Sequence, residues 1–244
     1  MPREPGRVVL ADRGSWLVAR SELRGYAARV TRAELVRTNT IIAATPLVPE
    51  LPLHLITDSC PLWRASEVDA AKLGLPLPYW GFAWPGGQAL ARFLLDEPTR
   101  IRGKRVLDFG SGCAIEALAG VKSGAASVLA ADIDPFADEA ARLNAELNRV
   151  TLATTTEDLI GQRGEWDLIL AGDVLYGEEL ATSVMRWLRS EAARGVEVLL
   201  GDPNRGWLDS CGLERVASFM AAADGDLSGT ILKEAVVWRI ANAL

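Results

Sequence analysis

Cysteine and histidine are scarce in this chain, and their scarcity excludes much chemistry. Cys60, Cys113 and Cys211 are the only cysteines in 244 residues. They are odd in number, far apart and in no CxxC pairing, so neither a disulfide framework nor a structural zinc site is expected, and no metal is assigned. His54 is the single histidine, so any triad or polyhistidine metal site would have to be built around that one imidazole. No apolar run approaches the roughly 18–20 residues of a membrane-spanning helix, which argues against an integral membrane protein. Met1 to Leu10 carries Arg3, Glu4 and Arg7 with no apolar stretch following, so no secretory signal is expected. A reducing compartment is implied: the cytoplasm, or the mitochondrial matrix for a eukaryotic chain.

What is present is an ordinary globular composition, 49% apolar and 24% charged, with a net charge of −6. The charge is unevenly spread. Residues 1–38 hold eight arginines against four acids, leaving the remainder at −10. An acidic body is a poor partner for phosphate backbones, so nucleic acid is not an expected ligand. The basic N-terminus reads as a solvated amphipathic helix over Ser21–Arg37, with Glu22 and Glu34 interspersed, in preference to a targeting peptide. The preference for Arg over Lys reads as genome composition of a bacterial kind.

The pattern divides the chain at about residue 78. Residues 1–77 form an extension of one helix, finishing near Thr40, and proline-punctuated segments. Leu47–Pro52 and Leu75–Pro78 read as loops and short edge elements, and His54–Thr57 as a short strand. Residues 78–244 alternate short apolar runs with helical stretches: Arg105–Phe109, Ser127–Asp132, Thr151–Thr156, Trp166–Ala171 and Val196–Leu200 as strands, with helices over Ile115–Lys122, Pro135–Asn148 and Glu179–Ala193. That alternation means βαβ units around a parallel sheet. Leu213–Met220 and Thr230–Ile240 have no room for a helix between them and predict an antiparallel pair at the sheet edge. The fold class is α/β, a doubly wound, seven-stranded, mostly parallel sheet.

The strongest local signal is Val106-Leu-Asp-Phe-Gly-Ser-Gly-Cys-Ala114: a strand ending in an acid, a turn through Gly110 and Gly112, then a helix. Glycines there let a ligand approach backbone N–H groups at a helix N-terminus. Asp132 lies 22 residues after Gly110 at the end of the next strand, where a carboxylate accepts the hydroxyls of an adenosine ribose. The third small residue of a dinucleotide fingerprint is replaced by Ile115, and no GxxxxGK[ST] exists. Asp108, two residues before Gly110, would repel a pyrophosphate but suits a cation such as the amino and sulfonium groups of S-adenosylmethionine. A helix-capping role for Asp108 stays open beside that one.

At these residues the sequence resembles the seven-β-strand S-adenosylmethionine methyltransferases, and more narrowly the electron-transfer flavoprotein β-subunit lysine methyltransferases. The resemblance is carried by Pro78-Tyr-Trp-Gly-Phe-Ala-Trp-Pro-Gly-Gly-Gln-Ala-Leu90, Val106–Cys113, Ala131–Pro135, Leu143-Asn-Ala-Glu-Leu-Asn148, Gly172-Asp-Val-Leu-Tyr176 and Gly201-Asp-Pro203. It covers most of 78–204 and only loosely the part before. It implies a Rossmann-like methyltransferase domain, S-adenosylmethionine as cofactor, and lysine methylation on the flavoprotein β-subunit as protein partner. It also implies that Asp108, Gly110, Gly112 and Asp132 hold the cofactor, that Glu157 (or its neighbour Asp158) lies on the adenine side, and that Asp173 and Tyr176 form the acid-x-x-aromatic motif of the lysine-methylating group. One departure is Ala114-Ile115-Glu116, where relatives often carry another glycine or small residues.

Methyl transfer to nitrogen is an in-line displacement by a neutral amine, whereas free lysine has a pKa of about 10.4. Asp173 is expected to attract and orient the ammonium, with Tyr176 offering a π face or hydroxyl and the proton leaving to solvent. Trp84 is expected to wall the cofactor pocket, Trp80 to face the protein substrate, and residues 1–77 to cover the substrate side. A monomer is expected. Two other readings remain: a methyltransferase of the same fold acting on a ribosomal protein or small amine, and a non-catalytic cofactor-binding protein that chaperones its partner. The lack of an Asn-Pro-Pro-Tyr motif weighs against part of the first. An NAD-dependent dehydrogenase is disfavoured by Ile115.

Overall fold

A computed structural model of the chain describes residues 31–57, 77–223 and 229–241. Helix α1 (Arg32–Asn39) leads into an antiparallel hairpin of β1 (Ile41–Thr45) and β2 (Val48–Leu55). After a 3-10 turn at Tyr79–Gly81 come α2 (Pro85–Asp96), β3 (Arg105–Phe109), α3 (Ile115–Lys122), β4 (Ser127–Ala131), α4 (Pro135–Asn148) and β5 (Ala153–Thr155). The second half runs through β6 (Leu168–Gly172), α5 (Glu178–Ala193), β7 (Glu197–Asp202), β8 (Leu213–Ala222) and β9 (Leu232–Ile240). The main sheet has the order β5-β4-β3-β6-β7-β9-β8. Strands β3 to β7 are parallel, and β9 runs antiparallel between β7 and β8. This is the seven-stranded α/β sheet expected from the sequence, with the antiparallel pairing in its tail.

Its short strands are continuously apolar because both faces are covered. Val106, Leu168, Leu170 and Leu199 pack on the side of α2 and α3, while Leu107, Ile169, Val198 and Leu200 face the α5 side. A strand buried on both faces loses the polar alternation of a half-exposed one. The chain order turns back between β3 and β6, so a crevice opens at their carboxyl ends, where open α/β sheets bind ligands. No helix among the described residues is long and apolar enough to cross a membrane.

The N-terminal segment departs from expectation in two places. Helix α1 begins at Arg32 because Thr31 and Glu34 form a capping box: Thr31 Oγ1 accepts the Glu34 N–H, and the Glu34 carboxylate accepts the Thr31 N–H at 2.8 Å. The expected helix start at Ser21 lies outside the described residues, but Thr31-x-x-Glu34 was a readable start signal. Second, β2 runs through Pro49 and Pro52 as an eight-residue strand. Both prolines fall where its register against β1 slips between Ala43 and Thr45, so no regular ladder bond is lost. Val48, Leu51, Leu53 and Leu55 of this hairpin are buried in the same core as Leu90 and Leu168.

Two asparagines of α4 stitch that hairpin to the glycine loop. Asn144, fully buried, accepts the His54 N–H at 2.7 Å and donates to the Cys113 carbonyl at 2.9 Å. Asn148 donates to the Pro52 carbonyl at 2.7 Å. Buried backbone groups left unpaired cost about 1–3 kcal/mol each. Asn144→Ala orphans two of them and should lower stability by about 3 kcal/mol, read as a drop in urea midpoint at unchanged slope. A loss below about 0.5 kcal/mol would show that water replaces the stitch.

Candidate functional site

The crevice is built around the N-terminus of α2. Proline at its first position suits a helix start, and its N-cap, Trp84, supplies no side-chain bond. The cap comes instead from across the molecule. Asp173, the residue after β6, accepts the N–H groups of Gly86 and Gly87 on Oδ2, the latter at 3.2 Å. This approach requires glycine, since a Cβ on Gly86 would collide with the Gly201 carbonyl and Asp173 Oδ2. Asp173 itself sits at φ +56, a left-handed conformation that is costly for a residue with a Cβ. Its N–H donates to the Gly201 carbonyl at 2.9 Å and holds it there.

The other oxygen of Asp173 is taken by Arg205. Nε and Nη2 donate to Oδ1 at 3.0 and 2.7 Å, and the guanidinium lies 5.2 Å from the centre of the Trp84 ring. Arg205 is placed by an Asx turn in which Asp202 accepts the Asn204 N–H at 2.7 Å and the Arg205 N–H at 3.3 Å. Burial pushes the Asp173 carboxyl up to about 6, against the pull of Arg205 and the two glycine amides. Asp202-Pro203-Asn204 forms a turn, and nothing in the sequence assigned a role to the arginine that the turn delivers. An Asx-turn start followed by a cation was the available signal.

The glycine loop forms as expected. Gly110 (φ +71) and Gly112 (φ +49) take left-handed conformations. Ala114 does too, at φ 61. Asp108 serves as a helix cap, accepting the Ala117 N–H of α3 at 2.9 Å on Oδ2. Its Oδ1, buried as well, has no hydrogen-bond partner, so part of the acceptor capacity of this acid is unfilled. Burial, with a smaller contribution from Asp132, raises this carboxyl to about 7. Asp132, at the end of β4, accepts the Gly112 N–H at 3.0 Å and the Asp134 N–H at 2.9 Å, tying the loop to the strand beside it. Glu157 lies exposed after β5 with its N–H on Thr155 Oγ1, whereas Asp158 is committed to the Ile160 N–H. Cys113 is buried and its thiol is pushed up to about 12, chiefly by burial, so it is no nucleophile at neutral pH.

Tyr176 is 60% exposed and stands 6.2 Å from the ring of Tyr79, which in turn lies 6.0 Å from Trp84. Trp84 donates its indole N–H to the Tyr79 carbonyl at 3.0 Å. One expectation is corrected. Trp80 does not face a substrate: it is 3% exposed and stacks on Phe136 at 6.2 Å, in a cluster with Val36 and Ile56. The 3-10 turn at 79–81 rotates Trp80 inward and leaves its neighbour Tyr79, half exposed, at the mouth. Asp173, Arg205, Trp84, Tyr79 and Tyr176 are thus linked in one group at the α2 N-terminus, and Asp108, Gly110, Gly112 and Asp132 belong to the glycine loop beside it. Burial, with help from the nearby Asp132, pushes the Tyr176 hydroxyl up.

These raised carboxyls make a stability prediction. In the unfolded chain they titrate near 4, whereas in the folded protein Asp108 and Asp173 keep protons up to about 7 and 6, and Glu116, buried beside them, well above its ordinary range. The folded state therefore binds more protons across that window, and stability falls as pH rises through it. His54, its imidazole pushed down by burial, works in the opposite sense below about 6.5, but it is one partly buried group. Asp167, held at about 2 by Arg105, changes stability only below the ordinary carboxylate range. The ligand-free protein should melt higher at about pH 5.5 than at about pH 8 in a thermal scan; a melting point that drops on acidification would contradict the burial of these acids.

A family model described as ribosomal protein L11 methyltransferase (PrmA) matches residues 89–193. Curated relatives match over more of the chain. The electron transfer flavoprotein beta subunit lysine methyltransferase of Xenopus laevis is 48% identical over 175 residues, 70% of this chain and 70% of its own. The protein of that name from Danio rerio is 38% identical over 212 residues, 84% of this chain and 81% of its own. The one from Mus musculus is 42% identical over 179 residues, 71% of this chain and 68% of its own.

Proposed function

Since this chain belongs to the electron transfer flavoprotein β-subunit lysine methyltransferase family, we propose that it methylates lysine side chains of that flavoprotein subunit, with Asp173 and Tyr176 positioning the ε-amine. It is an S-adenosylmethionine-dependent protein-lysine methyltransferase. The observation that carries the positioning roles is the acid-x-x-aromatic pair at the switch point of the sheet, one member buried and clamped, the other exposed beside Tyr79.

The residues present fit the methyl donor. The orphaned Asp108 Oδ1 answers to a cationic group, and a Cβ on Gly112 would meet nothing nearer than 3.9 Å, so the loop backbone is open to a ligand. Asp108, Gly110, Gly112 and Asp132 would hold it, with Trp84 as a wall and Glu157 on the adenine side. When bound, S-adenosylmethionine supplies the electrophilic methyl group.

The chain's own residues do the rest. Asp173 Oδ2 is committed to the α2 amides, so Oδ1 is the oxygen that an incoming ammonium reaches. Arg205 holds that oxygen in the ligand-free protein, so the lysine either shares the carboxylate with the guanidinium or displaces it. Tyr79, Trp84 and Tyr176 present ring faces to the aliphatic stem and to the cationic head. They also keep bulk water away from the amine, and its proton leaves to solvent at the exposed Tyr176 side.

The test is mass spectrometry of the isolated flavoprotein β-subunit after incubation with this protein and S-adenosylmethionine. Mass gains in single-methyl steps on lysine are expected. Asp173→Asn, which keeps an acceptor for the α2 amides but loses the charge, should cut turnover roughly 10- to 100-fold, the worth of one charge-assisted contact. Donor binding should persist in that variant. Unmodified lysines with the donor bound would overturn the substrate, and near-normal turnover by Asp173→Asn would overturn its role.

A further inference from the structure

Glu116 is a buried acid that the site described so far does not use. It is the second residue of α3, 5% exposed. Its Oε1 lies against the backbone of Gly87 and Gly172, and its carboxylate accepts a backbone hydrogen bond from Gly172. Its Oε2 is buried with no hydrogen-bond partner. Asp108, on the neighbouring strand, repeats this arrangement: one oxygen caps α3 and the other is orphaned.

The ionisable groups that face Glu116 are all acids. Asp108 comes from β3, Asp173 from the end of β6, and the Cys113 thiol from the glycine loop. The first turn of α2, Pro85 to Gln88, brings no ionisable group. Asp132 lies beyond Asp108, and the guanidinium of Arg205 is engaged on Asp173 Oδ1. Among the described residues no ion pair joins a Lys or Arg to either Asp108 or Glu116. A buried acid left so must hold a proton or receive a cation. Two neighbouring acids that each keep one oxygen unbonded are built for the second, since a proton alone would be served as well by an amide or an apolar side chain.

We propose that Glu116 acts with Asp108 as the receptor for the ammonium group at the amino-acid end of S-adenosylmethionine, and that the acid pair releases a proton to solvent as the donor binds. This rests on the cofactor reading above and extends it to a residue outside the Asp-x-Gly-x-Gly motif. The step balances: the O–H bond of one carboxylic acid of the pair breaks, the proton goes to water, and the new carboxylate faces the ammonium. Burial holds both carboxyls above the ordinary carboxylate range, which favours a proton resting there in the ligand-free protein.

The experiment is titration calorimetry of the full chain with S-adenosylmethionine, at about pH 6.5 in two buffers of different ionisation enthalpy, so that protons released are counted directly. The wild-type chain should release a measurable fraction of one proton. Glu116→Gln, close to isosteric, should weaken binding roughly 10- to 100-fold and release less. S-Adenosylhomocysteine keeps the ammonium and lacks the sulfonium charge, so it should lose affinity by the same factor. Unchanged affinity and proton count in Glu116→Gln would overturn the role of Glu116 while leaving the cofactor reading intact. A loss confined to S-adenosylmethionine would overturn the ammonium assignment, because the acid would then face sulfur. Absence of proton release by the wild-type chain overturns the proposal without any variant, and failure of that chain to bind either compound would remove the cofactor reading itself.

Discussion

The structure depends on the close approach of one helix N-terminus to the ends of two strands. Gly86 meets Gly201 and Gly87 meets Gly172 at distances that admit no side chain, and Asp173 seals the junction by capping α2 from the end of β6. A buried carboxylate is costly unless its lone pairs are filled, and here two amides and a guanidinium fill them. The same contact that finishes the helix also fixes the carboxylate at the switch point of the sheet. Pro85-Gly86-Gly87 is therefore a structural requirement of the Asp173 contact, and Gln88 anchors the helix by donating to the Ala83 and Ala222 carbonyls.

Two kinds of buried acid result. Asp173 is compensated by Arg205 and remains an anion near neutrality, ready to meet a lysine. Asp108 and Glu116 are paired to no cation among the described residues, and burial favours their protonated forms until a ligand arrives. In the proposed scheme the crevice offers acids to two different cations, the donor and the substrate, that must approach one another. Mutual repulsion between those cations is offset by separate carboxylates for each, a division of labour consistent with placing an amine in line with a sulfonium.

Much of this was legible in the sequence because it rests on local rules. Apolar runs of about five residues between helical periods revealed β3 to β7, and glycines with a preceding acid revealed the turn into α3. Asp173 and Tyr176 stood out through a motif. What escaped depends on contacts between distant residues. Pro49 and Pro52 disguised β2, whose strand survives because its register slips at those positions. Trp80 and Tyr79 exchanged places because a single 3-10 turn decides which adjacent ring points inward. Arg205 had no signature of its own: its role comes from a turn 32 residues after the aspartate it grips. Glu116 looked like an ordinary first-turn helix acid until its burial was seen.

The central claim is that Asp173 works as an anion whose ionisation Arg205 sustains. The most direct measurement is the pH dependence of kcat/KM on the flavoprotein β-subunit, with the methyl donor saturating, for the wild-type enzyme and Arg205→Gln. Deprotonation of lysine alone makes the rate climb with pH, and loss of the Asp173 charge should steepen that climb below about pH 6. Removing the guanidinium raises the Asp173 carboxyl further, so the steepening should move to higher pH in the variant. Profiles with the same shape and the same break in both proteins would contradict the account.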